Sequence, residues 1–439
     1  MSTEVSAMDR LPGKAVALVT TRAVSALGTT VTVFAMDVWI FKQTGSYAVF
    51  AYLALLATLP NLVLAPFAGI TVDRYNKKWL LMGCEIASLA AVLFALERYQ
   101  QGKLGISAVA IVTVVLSIVG SLRWMTMSVA ISMLVPKQAL ARMNGVQQSF
   151  YGLNTIAAPM MGAVALEMIG FAPLLIIDGL TCLIAVAGLI FISSSSLRAE
   201  ATPDASASSF WQRVSFGIRW IVAHRALFQL MLFFMFFNLG VSVFSVSFAP
   251  RLLSVHSSDL LGGAMGLQGA GAILTGLVLA RRRTRRFGPA SNVLIGSLAF
   301  GLMMLLWGLT QNIAGVLALA FSAGALTSLI MSSSQTLWQS HVPVDIQGRV
   351  FAARMMVSFS LGPLAILASI PMARSLFDPL LWSLPSLATL WGVGQGASIG
   401  LMVSALGVAV MMGCVWLLAR GGLSIGDLHE HRDKPPSES

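Results

Sequence analysis

The sequence is poor in charge. Asp, Glu, Lys and Arg make up 10% of its 439 residues, where soluble domains carry about 25%. The remainder is 57% hydrophobic, with a mean hydropathy of +0.83. A soluble chain of this length could not bury that much apolar surface, so a membrane chain with little material outside the bilayer is the reading left. Cysteine is nearly absent. Cys84, Cys182 and Cys414 all fall in apolar runs, which speaks against a disulfide framework or a metal site. No histidine falls inside a run long enough to span a bilayer, so a histidine proton relay is not expected. A small-residue cleavage site is missing after "MSTEVSAMDRLPGK", and the first apolar run is expected to direct insertion itself. "GGAMGLQGAGAILTG" has the glycines of a phosphate loop but no following Lys-Ser/Thr. "GASIG" at 396–400 matches a hydrolase elbow, yet it opens an apolar run where a strand–turn–helix is required. Gly392, Gly396 and Gly400 read more simply as a small-residue packing face. No enzyme chemistry, cofactor, metal or nucleotide is expected.

What the chain has is long apolar runs. Crossing the hydrocarbon core takes about 20 apolar residues as a helix. Twelve runs qualify: 14–41, 47–71, 79–97, 106–123, 144–167, 172–192, 226–250, 260–280, 290–309, 314–335, 350–372 and 397–419. The ten-residue alternation of a membrane barrel is absent. An even number of spans puts both termini on one side. If that side is the cytoplasm, 22 of the 28 Lys and Arg fall in inner segments. Only Lys42, Arg98, Lys103, Arg251 and Arg374 fall in outer ones. That bias fits the positive-inside rule, and it accounts for the +11 net charge without nucleic acid. The run "RRRTRR" at 281–286 lies between two spans, where topology and anionic lipid headgroups explain it.

A repeat is present. Gly69, three residues and "DRYNKK" join the second and third spans; Gly276, three residues and "ARRRTR" join the eighth and ninth. "VPKQALAR" at 135–142 and "VPVDIQGR" at 342–349 join the fourth to the fifth and the tenth to the eleventh. Both pairs are offset by 207 residues. Two signals with one ungapped offset argue for two homologous six-helix halves. The expected organisation is an N-terminal half over 1–192, a cytoplasmic linker over 193–225, a C-terminal half over 226–420 and a polar tail over 421–439. "FWQRVSFGIRWIVAHR" in the linker puts Trp211, Val214, Ile218, Ile221 and Val222 on one helical face, the pattern of an interfacial helix.

The loop Gly69–Lys78, with its weaker copy after Gly276, resembles the signature loop of the major facilitator superfamily. "PFAGITVDRYNKK", "LVPKQALARMNG", "FGIRWIVAHRALF" and "HVPVDIQGRVFAAR" resemble more closely its drug–proton antiporter branch, which holds macrolide exporters and the enterobactin exporter. Asn76 stands where the signature usually has glycine, Ala280 where it has an acid, and "AAPMMG" is a reduced form of the antiporters' Gly-Pro motif. The resemblance implies an all-α fold of twelve transmembrane helices in the bacterial inner membrane. It implies alternating-access export of an amphipathic compound, such as a drug, siderophore or peptide natural product, driven by protons. A monomer among membrane lipids is expected. Import, facilitated diffusion and a transporter-like sensor without turnover remain alternatives.

The residues suited to such work are few. Gly69 permits close helix approach; Asp73, Arg74, Lys77 and Lys78 would pair across the cytoplasmic mouth, by resemblance with the region Arg349 to Arg354. Acids inside spans are costly and usually functional, which singles out Asp37, Glu85 and Asp178 as proton carriers, Asp37 and Asp178 at similar depth. Arg22 suits either an anionic substrate or an ion pair with an acid such as Glu85. The first span carries Ser25, Thr29 and Thr32; the fifth carries Gln148, Tyr151 and Asn154 at helical spacing. Both stripes suit a cavity lining or hydrogen bonds between helices. Asn238 is the polar mark of the aromatic seventh span.

Overall fold

A computed structural model describes residues 11–44, 49, 52–53, 56–57, 60, 63–191, 197, 210–255, 258–281, 288–383, 390–392 and 395–419. Its described elements are helical. They are α1 (Gly13–Thr44), α2 (Ala65–Arg74), α3 (Lys77–Gln100), α4 (Ile106–Leu134), α5 (Leu140–Met168), α6 (Phe171–Ile190) and α7 (Phe210–Ala223). Then follow α8 (Arg225–Val255), α9 (Ser258–Arg281), α10 (Pro289–Leu309), α11 (Ile313–His341), α12 (Gln347–Phe359), α13 (Gly362–Met372), α14 (Asp378–Ser383) and α15 (Gln395–Ala419).

Ten helical segments among the described residues are long and apolar enough to cross a membrane. Two of the twelve expected spans are not among them. The fifth is present as the 29-residue α5, but its polar stripe lowers its hydropathy. Ten of the 25 residues of the second, 47–71, lie outside the described residues, and α2 is its end. The eleventh expected span is broken. Its helix α12 stops at Phe359, Ser360 turns back to the Val357 carbonyl, and α13 restarts at Gly362-Pro363, since Pro363 has no N–H to give and its ring would clash with the Phe359 carbonyl four residues back.

The 207-residue offset holds in the fold. The helices α4 and α11, each of 29 residues, begin at 106 and 313 and end at 134 and 341. After each comes a Val-Pro pair and one turn of 3-10 helix, Lys137–Ala139 and Val344–Ile346. The next helix starts at Leu140 and at Gln347. Likewise α2 ends at Arg74 and α9 at Arg281. The proline explains the stop: Val135 is extended, at φ −117° and ψ 126°, where helix cannot continue.

By packing, the chain forms two compact units, Met1–Ile218 with Val342–Met356, and Arg219–His341 with Val357–Ser439. In the first, α1 packs on α5 and α6, and α3 on α4 and α6. Its apolar core includes Ala35, Met36, Ile40, Ala95, Val109 and Leu175, with a second cluster around Leu18, Leu81, Ile131 and Met143. In the second, α9 packs on α11, and α10 on α11 and α15. Glycines let α10 and α15 nearly touch backbones. A Cβ at Gly301 would lie 2.7 Å from the Gly407 carbonyl. One at Gly308 would overlap the Gly400 carbonyl and the Ser404 hydroxyl. The "GASIG" segment therefore lies in a helix, with Gly400 as a packing contact.

Candidate functional site

The first unit buries a cluster of charge. Arg22 on α1 is 5% exposed and Glu85 on α3 is 0% exposed. The Arg22 guanidinium pairs with Oε1 of Glu85. Arg123 on α4 approaches the same oxygen, Nε to Oε1 at 3.6 Å, and also reaches the Ser88 hydroxyl. Ser25 donates to the other oxygen, Oε2, at 2.7 Å. Of the two readings of Arg22, the ion pair is the one formed. Arg123 was missed because the fourth span was expected to end there; α4 runs on to Leu134, which leaves Arg123 inside the helix.

Asp178 on α6 is buried among hydroxyls. Thr29 donates to Oδ1 at 3.2 Å and Thr181 approaches the same atom at 3.4 Å, and Thr32 is buried three residues further along α1. Glycine at 28 makes room, since a Cβ there would lie 2.8 Å from Asp178 Oδ1. The α1 hydroxyls Ser25 and Thr29 are thus spent on carboxylates of α3 and α6. Asp37 is half-buried and lies eight residues beyond Thr29, ~12 Å along a helix. Asp178 is therefore level with Thr29, and the expected pairing of Asp37 and Asp178 in depth does not form. On α5, Asn144 is buried, Gln148 and Asn154 are half-buried, and Tyr151 is exposed. In the second unit, Asn238 on α8 donates to the Ser358 carbonyl at 2.9 Å, just before the break after α12.

The signature loop builds a clamp. Asp73, near the end of α2, accepts from the backbone N–H of Gly348 at 2.6 Å and of Arg349 at 3.0 Å. Its Oδ2 also takes Arg349 Nε at 2.9 Å. These are first-turn amides of α12, which favour an anion. Asp73 thus caps the N-terminus of α12. Burial lifts its carboxyl to about 6, and the Arg349 and Gly348 donors pull the other way. The glycines are required: a Cβ at Gly69 would lie 2.5 Å from the Gly348 carbonyl, and one at Gly348 would overlap Asp73 and the Gly69 carbonyl.

Arg74 and Lys78 turn to other partners, while Lys77 stays near enough to Asp73 to feel its charge. Arg74 lies 5.6 Å from the Tyr75 ring centroid. Lys77 reaches the Tyr75 carbonyl at 3.2 Å. Lys78 reaches the Ile190 carbonyl at 3.1 Å, at the α6 C-terminus where the dipole favours a cation. Arg354 is buried further along α12. Asn76 caps α3, accepting from the Lys78 N–H at 2.9 Å, which gives the unusual asparagine a structural role. Arg251, expected in an outer loop, lies inside α8, where it donates to the Gly396 carbonyl at 2.5 Å and to that of Gly308. Gly348 was present in the quoted "VPVDIQGR" and was overlooked as a clamp member.

The family model of the Major Facilitator Superfamily matches residues 18–367. Macrolide efflux protein A of Streptococcus pyogenes is 28% identical over 166 residues, 37% of this chain and 40% of that protein. The match thus spans under half of that relative's length. An uncharacterized MFS-type transporter of Bacillus subtilis, YfiS, is 23% identical over 345 residues, 76% of this chain and 81% of that one. Among solved structures, a bacterial homologue of the iron transporter ferroportin in an outward-facing state covers 91% of this chain and 99% of its own, at TM-score 0.65 and 14% identity. The fucose:proton symporter of E. coli gives TM-score 0.67 at 10% identity, over 93% and 99%. Those two likenesses speak to the fold.

Proposed function

The chain belongs to the Major Facilitator Superfamily, a family of transporters and not of enzymes, and we propose that it is a secondary active exporter working by alternating access. Its cargo is an amphipathic organic compound, and protons drive it in the opposite direction. The membrane is the bacterial inner membrane, with both termini cytoplasmic and twelve spans in two six-helix halves. The observation that carries the mechanism is the clamp of Asp73 on the start of α12 through Gly69 and Gly348. It joins segments far apart in sequence by a few hydrogen bonds. A contact worth a few kcal/mol can close a cytoplasmic mouth while leaving the open state populated. Export is supported by the likeness to Macrolide efflux protein A, and a macrolide-like drug is the first cargo to try. A siderophore or peptide natural product fits the same chemical description.

Transport by everted membrane vesicles tests this. Vesicles holding the protein should accumulate a macrolide when their interior is acid and stop when the gradient is collapsed. Accumulation indifferent to the gradient would remove the proton from the mechanism; none for any of the three cargo classes would remove export. Asp73→Ala leaves three donors without their acceptor. It should insert normally and lose most transport, while unaltered transport would sink the gate.

A further inference from the structure

The linker helix α7 reaches the clamp, although its sequence suggested only a membrane-surface role. Phe216 lies under the Arg349 guanidinium, with Cζ 4.5 Å from the ring centroid. Gly217, one residue on, is buried. A Cβ there would overlap the Arg349 carbonyl and lie 2.9 Å from Ala353 Cβ. The same guanidinium pairs with Asp73. The first turn of α12 is therefore approached at consecutive residues from two elements: α2 meets the Gly348 carbonyl through Gly69, and α7 meets the Arg349 carbonyl through Gly217.

We propose that Phe216 is the positioning residue of the clamp: its ring holds the Arg349 guanidinium in place for Asp73, and α7 must lift from α12 before the clamp opens. A ring face attracts a guanidinium within about 6 Å and restrains it without competing for its hydrogen bonds. Glycine at 217 is what allows the approach. The device serves one clamp only. At the 207-residue offset Arg349 corresponds to Arg142, but Asp73 corresponds to Ala280, and the linker helix occurs once. The opening rate is thereby placed under the control of the linker, a segment outside the expected spans. The inference rests on the gate reading for its consequence in transport, while the contact is measured without transport.

Hydrogen–deuterium exchange on the purified full-length protein reads it. In Phe216→Leu the amides of Gly348 and Arg349, which donate to Asp73, should exchange roughly two- to five-fold faster, the size expected of one cation–π contact. Phe216→Trp keeps a ring and should leave them unchanged. Amides in the middle of α4 should not respond in either variant. If Phe216→Leu loosens α4 as well, Phe216→Met, which keeps volume and drops the ring, should still give the local gain alone. Unchanged exchange at Gly348 and Arg349 in the ring-less variants overturns the proposal, and so does an equal gain in Phe216→Trp. Wild-type clamp behaviour with no transport would count against the gate reading only.

Discussion

Asp73 shows how one side chain acts through opposed effects. Burial raises its carboxyl to about 6, against the N–H donors that lower it. When the clamp opens, the carboxyl meets water and returns toward the ordinary 3.8. The closed form therefore holds the proton more tightly. That contribution to closure is fully present below about pH 4 and is lost as pH rises through about 6. Arg349 and Lys77 are the cations near it. Protection of the Gly348 and Arg349 amides, corrected for intrinsic exchange, should rise from pH 7 to pH 5 in the wild type and stay flat in Asp73→Ala. A wild type without that rise would contradict the assignment. The buried pair of Arg22 and Glu85 obeys a different rule. Removing one partner strands a buried charge, at a cost of about 3–5 kcal/mol. Glu85→Gln, which strands both Arg22 and Arg123, should sharply lower the melting temperature in detergent, and Arg22→Gln, which leaves Glu85 beside Arg123, should lower it less. An equal loss in the two variants would mean that Arg123 does not compensate Glu85. The sequence offered this pair as one of two options for Arg22. It hid Arg123, because an arginine in an apolar run reads as the run's end unless its partner is known. That partner, Glu85, sits on another helix, where spacing along the chain carries no signal.

At the scale of elements, most of the fold was legible and the helix ends were not. Ten of the twelve apolar runs coincide with described helices long and apolar enough to cross a membrane, and one 207-residue offset anticipated matching helix starts at 140 and 347. The Val-Pro pairs carry that signal, because proline acts locally. The ends ran long where a single charge was read as a stop, as at Arg123, beyond which the apolar α4 continues to Leu134. Gly69 and Asp73 stood out in the sequence, and Arg349, in the expected partner region, contacts Asp73. The roles of Lys77 and Lys78 were not legible, since a lysine reaching a carbonyl at a helix end leaves no pattern in sequence. Contacts between helices depend on glycine at particular places. Gly308→Val would drive a side chain into the Gly400 carbonyl and Ser404, and overpacking of that kind costs about 1–3 kcal/mol. Gly83 on α3 has nothing within 4 Å of an added Cβ. Thermal unfolding should show a clear loss for Gly308→Val and none for Gly83→Ala, where alanine is the better helix former. Equal behaviour of the two would undo the packing argument.

At the scale of the molecule, the proposed proton antiport has three candidate carriers among the buried and half-buried acids. Glu85 is engaged at both oxygens, by Arg22 and Arg123 on Oε1 and by Ser25 on Oε2. Protonating it would strand two buried guanidiniums. Asp178 is touched by hydroxyls, those of Thr29 and Thr181. A hydroxyl can donate to a carboxylate or turn to accept from a carboxylic acid, so Asp178 can gain and lose a proton with its neighbours in place. Each elementary charge crossing 100 mV gains about 2.3 kcal/mol, which sustains a cargo gradient of roughly one and a half decades. Asp178→Asn keeps the shape and removes the titration. It should abolish proton-driven efflux and keep substrate counterflow at zero gradient. Glu85→Gln should fail earlier, as an unstable protein. Asp37→Asn, in a half-buried site two turns along α1, should keep both activities if Asp178 is the carrier. Normal pumping by Asp178→Asn with loss in Asp37→Asn would move the proton to Asp37. Normal pumping by both variants would mean that neither carries it, and with Glu85 held between two arginines the cargo would have to move without protons.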